Sequence, residues 1–95
     1  MQKLMILTED RPVLEQLVRS ALEHEKRLVQ VGLAKTRRRL AEFEQQHGMS
    51  SAEIEQKLAT LEIAETPEFS DWRMEMGMLR LLERQFSVLK NARVN

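Results

Sequence analysis

The sequence predicts an all-α protein: a long helical hairpin, read as long helix, short helix, long helix, that assembles as a dimeric helical bundle. Three observations predict it. The 95 residues include three glycines, two prolines and no tyrosine, and are rich in Leu, Glu, Arg, Gln and Ala, which is helix composition. Apolar residues recur at helical spacing over long stretches. Cap and proline signals fall where such stretches begin. At this length one domain is expected, spanning residues 1–95. Two or three helices packed alone would be marginal, and with no cysteine for a disulfide or thiolate zinc site, oligomerisation or a bound partner is the expected remedy.

Residues 1–11 form an N-terminal arm. Within it, residues 3–8 (KLMILT) are an apolar run that reads either as a docked terminus or as a short strand. A lone strand would need a second copy or a partner's sheet edge to pair with.

The long helix is expected over residues 12–48. Pro12 suits its first turn and Asp10 its cap. Leu14, Leu17, Val18, Ala21, Leu22, Leu28, Val29, Leu33, Leu40 and Phe43 recur at helical spacing and are read as one apolar stripe. Arg19, Glu23, Lys26, Gln30 and Arg37 are placed opposite. Gly48 is the left-handed terminator, and Gly32 marks a close crossing or a bend. More than 30 residues of helix imply a hairpin or coiled-coil arm.

Ser50-Ser51-Ala52-Glu53 reads as a capping box opening a short helix over residues 50–62. Thr66-Pro67 restarts the chain, and the last helix is expected over residues 66–92. Its apolar arc is about twice the usual surface-helix stripe of somewhat over 100°. Leu40, Phe43, Phe69, Trp72, Met76, Leu79 and Phe86 are assigned to the hairpin core. Met74, Met78, Leu81 and Val88 are assigned to contact with a second chain, the methionines being suited to adaptable binding surfaces. Glu75 and Glu83, at the rim of the arc, are expected either to pair with arginines or to reach solvent.

Chemistry finds little support. His24 and His47 are too far apart along one helix to share a site within a chain. The sequence contains no HExxH, nucleophile elbow, phosphate loop or dinucleotide fingerprint, and no metal or cofactor is expected. Arg19 and His24 have the Arg-x4-His spacing that resembles the HEPN-type ribonuclease motif, although an exposed helical pair is the better reading. Fifteen basic residues balance fifteen acidic ones, which argues against nonspecific nucleic-acid binding. The basic run at residues 35–39 (KTRRR) reads as a solvated face. No apolar run approaches a membrane span and no signal peptide is seen, so the expected location is the cytoplasm.

The stretch from Arg39 through Phe43-Glu44, His47-Gly48-Met49-Ser50 and Glu53, followed by Phe69-x-x-Trp72 and a Leu/Glu-rich last helix, resembles a group of small prokaryotic proteins encoded beside TumE-type toxins. The resemblance covers roughly residues 13–90. It implies an antitoxin that neutralises a cognate toxin protein by binding, with no catalytic residues to carry over. His47 stands where a tyrosine is commoner, and Ile54 where an aromatic is commoner. Two alternatives remain: a structural helical dimer or coiled-coil adaptor, and a small RNA-binding or RNA-cleaving HEPN-like dimer.

Overall fold

The computed structural model describes residues 5–93. The described residues form three helices: α1 (Arg11–His47), α2 (Ser51–Ala59) and α3 (Pro67–Asn91). Residues 5–8, the described part of the apolar run, take irregular backbone rather than strand, and residues 3 and 4 lie outside the described region.

Each helix starts where a side chain replaces a missing backbone partner. The carboxylate of Asp10 accepts from the Val13 amide, the hydroxyl of Ser50 from Glu53, and that of Thr66 from Phe69. Gly48 (φ 62°) ends α1 in the left-handed region that glycine adopts without strain. The chain then turns so tightly that Glu44 of the last α1 turn accepts the Ser51 amide at 2.6 Å.

The short helix stops three residues before its predicted end. Leu61 takes φ 60°, its amide donates to Leu58 O, and the Glu62 amide donates to Lys57 O at 2.9 Å. This is a Schellman termination with leucine at the position glycine usually fills. Sequence reading missed it because leucine is a strong helix former.

α1 and α3 pack antiparallel. Phe43 stacks on Trp72 with ring centroids 5.4 Å apart, Arg39 pairs with Glu75 at 2.8 Å, and Gly32 lies against Leu82. A Cβ on Gly32 would sit 3.3 Å from a Leu82 methyl, so the glycine permits the close crossing. α2 lies across one face of the hairpin near its turn. There Ile54 and Leu58 join Leu40, Trp72 and Met76 in the main core, flanked by half-buried Phe43, Met49, Ile63, Phe69 and Leu79. Trp72 and Ile54 are wholly buried, and Trp72 Nε1 donates to the Ser51 hydroxyl at 2.9 Å. Phe86 is half-buried further along α3.

The two long helices differ in length, 37 residues against 25. Extending the Phe43–Trp72 register brings Asn91, the last residue of α3, opposite about His24. The first turns of α1 therefore project beyond the hairpin. The molecule measures 59 × 25 × 19 Å, with a radius of gyration of 18.9 Å.

The Schellman turn gives the first prediction. Leu61 is 86% exposed, so removing its side chain forfeits little burial, while glycine relieves roughly 1–2 kcal/mol of left-handed strain. Glycine's larger unfolded-state entropy offsets part of this. Leu61→Gly is expected to stabilise the fold by about 0.5–1 kcal/mol in urea titration.

Candidate protein-binding surface

Both long helices carry two apolar faces, of which the chain covers one. On α1 the covered face is Val29, Leu33, Thr36 and Leu40, all buried. This corrects the single stripe expected from sequence. Leu17 and Leu28 are 61% and 53% exposed, and with Val13 and Val31 they form a second stripe a quarter to half a turn away. Lys26, expected opposite the stripe, is half-buried and pairs with Glu23 at 3.3 Å. A sharper wheel would have separated the two stripes, because Leu17 and Leu28 lie about 100° or more from the centre of the buried face.

On α3, Trp72 and Met76 are buried and Phe69, Leu79 and Phe86 half-buried along one seam. The four residues assigned from sequence to a second chain lie on the far side. Met74 is 72% exposed, Met78 46%, Leu81 47% and Val88 65%. Their spacing of four, three and seven residues keeps them on one stripe along the helix. α3 is thus apolar on two sides, and α1 covers one of them.

The hairpin's two broad faces differ. On one, α2 packs across the turn end and Glu55 pairs with Arg80. On the other, a shallow cleft between α1 and α3 is lined by Arg39, Glu42, Phe43, Gln46, Asp71, Met74 and Glu75. No α2 residue reaches it. Glu75 and Glu83 pair within the chain, with Arg39 at 2.8 Å and Arg37 at 3.9 Å. Two cations of the basic run, Arg37 and Arg39, thus face acids of α3.

Other polar side-chain contacts lie at helix ends. His47 contacts Glu68 at 2.9 Å and packs against both Trp72 and Phe69. Glu65 accepts from the Ser70 hydroxyl and from Arg73. Those two contacts, Ser70 first, hold its carboxyl below the usual range, and their contribution is lost as pH falls through that lowered value.

Arg19 and His24 do not converge within one chain. Five residues on a helix separate them by about 140° of rotation. The shallow cleft that includes Arg19 is lined by Leu22, Glu23, Lys26, Leu89, Lys90, Ala92 and Arg93, without His24. Among the described residues no group of three His, Asp or Glu side chains is placed to hold a metal ion, and no helix is long and apolar enough to cross a membrane. Comparison of the chain with protein-family models, curated proteins and solved structures found no match.

The two faces of α3 predict opposite responses at residues two positions apart. Met76→Ala is expected to destabilise the monomer by about 3 kcal/mol, because a 5% exposed side chain leaves a cavity. Met74→Ala is expected to change it by less than about 0.5 kcal/mol. Urea denaturation of the two variants reads the difference directly.

Proposed function

We propose that the chain is an antitoxin of a prokaryotic toxin–antitoxin pair, acting in the cytoplasm as a homodimer and neutralising a cognate toxin protein by masking it. The observation that supports this reading is the second apolar stripe of α3, Met74, Met78, Leu81 and Val88, which the described chain leaves 46–72% exposed. Exposed apolar residues in contiguous register mark a protein-binding surface rather than an ordinary solvated face. Helix-in-groove binding reads anchors at such spacings, and two methionines let the surface adapt to the groove. Masking by burial requires no acid, base or nucleophile. The toxin as the partner rests on the sequence resemblance around the α1–α2 turn and the start of α3.

The test is co-expression with the product of the adjacent gene. Restored growth and a co-purifying complex, seen as a rise in mass by light scattering, are the expected results. Unchanged mass without rescue of growth overturns the antitoxin reading. Met78→Glu places a charge at the centre of the stripe, and complex formation is expected to weaken by about tenfold or more while helicity by circular dichroism is unchanged.

A further inference from the structure

The second stripe of α1 is a palindrome. Along the exposed face the seam positions are Asp10, Val13, Leu17, Ala21, His24, Leu28, Val31 and Lys35, all exposed. Their steps are all three or four residues, alternating from Leu17 to Lys35 in the repeat of a coiled-coil seam, with one extra residue between Val13 and Leu17. Reversing the helix about a point between Leu22 and Glu23 maps this row onto itself in position, with like residues exchanging in its aliphatic pairs and opposite charges at its ends. Leu17 exchanges with Leu28, and Ala21 with His24. Val13 exchanges with Val31 to within one residue, and Asp10 with Lys35.

We infer that this face docks a second copy of the chain, α1 against α1 antiparallel, about a two-fold axis near Leu22 and Glu23. This rests on the dimeric state proposed above and not on the toxin. A two-fold interface is self-complementary, so residue i of one copy meets residue j of the other and j meets i. The palindrome meets that requirement. Leucine faces leucine and valine faces valine, small Ala21 gives room to the imidazole of His24, and the seam closes at each end with a carboxylate against an ammonium. A parallel pairing would instead set Asp10 against Asp10 and Lys35 against Lys35, like charges at both ends. The seam runs 25 residues, roughly 37 Å at 1.5 Å per residue, long enough for a stable two-helix contact.

The arrangement also covers the part of α1 that its own hairpin leaves bare. The projecting turns from Arg11 to about Val18 of one copy lie beside residues 27–34 of the other. Those residues belong to a hairpin backed by α3. Each overhang gains a supported helix to pack on, and the Met74–Val88 stripe stays free for another protein.

Cysteine cross-linking tests both the surface and its direction on a clean background, because the chain has no cysteine. Light scattering of the full chain is expected to give twice 11.2 kDa. Mixing a tagged Leu17→Cys chain with an untagged Leu28→Cys chain under oxidation is expected to give the mixed disulfide as the main product. Neither variant alone is expected to cross-link efficiently, since like residues lie about 11 positions, roughly 16 Å, apart along the seam, beyond disulfide reach. In a second arm, Leu17→Glu with Leu28→Glu is expected to weaken dimerisation by about tenfold or more with helicity retained. A monomeric wild-type chain overturns the dimeric reading and this interface with it. A dimer that forms no mixed disulfide, links Leu17→Cys to itself, or survives the double glutamate overturns the interface alone. Rescue from the toxin is scored separately through Met78, so failure of one reading is distinguishable from failure of the other.

Discussion

The burial of Trp72 fixes how the three helices of this molecule sit on one another. Its indole is fully covered, its N–H is tied to Ser51 at the start of α2, and its ring stacks on Phe43 near the end of α1. One side chain thereby joins all three helices. An indole buried without a partner for its N–H would carry a desolvation cost of roughly 1–3 kcal/mol, so the Ser51 contact selects a single seating for α2. Because Trp72 faces Phe43, the register of the whole hairpin is set. Register together with unequal helix length then determines that α1 projects and that α3 shows a second face.

The same geometry explains why the core is confined to the turn end. Ile54 and Leu58 of α2 close over Leu40, Trp72 and Met76, so three helices surround the apolar cluster there. Further along, where α2 is absent, Val29, Leu33 and Thr36 are buried between two helices, and Leu82, Phe86 and Leu89 are half-buried. Still further, at the start of α1, the residues in line with that buried face, Leu14 and Val18, are only half-buried. Packing thins from three helices to two to one along a single axis.

The local rules were legible in the sequence, and the long-range ones less so. Asp10, Ser50, Thr66 and Gly48 announced the helix ends because capping is a short-range contest between a side chain and nearby amides. The all-helical class and the packing of the two long helices followed from apolar periodicity. Leu61 was illegible, because its left-handed backbone is imposed by the following loop against its own preference. The division of α1 into two faces was also missed. A stripe drawn only by three- and four-residue steps merges Leu17 and Leu28 with Val29 and Leu33, although the pairs lie on different faces. Only the register with α3 shows which face is taken. The four exposed α3 residues, by contrast, stood out early, because an apolar arc of about twice the usual width cannot be covered by one neighbour.

Shape adds a constraint of its own. A compact domain of this length would have a radius of gyration near 12 Å, against the observed 18.9 Å. The difference is the signature of a rod, and a rod has too much surface for its volume to bury its apolar residues internally. Seven apolar side chains are buried among the described residues, while twelve large ones are exposed, Leu17, Leu28 and Met78 among them. Met5, Ile6, Leu7 and Leu61 lie outside the long helices, but the other eight do not scatter. Val13, Leu17, Leu28 and Val31 share one stripe on α1, and Met74, Met78, Leu81 and Val88 share another on α3. Chance exposure would not order eight side chains into two helical stripes, and neither stripe adds to the packing of an isolated chain. Two separate stripes on one rod leave room for two different neighbours, as the proposed dimer that also masks a partner would require.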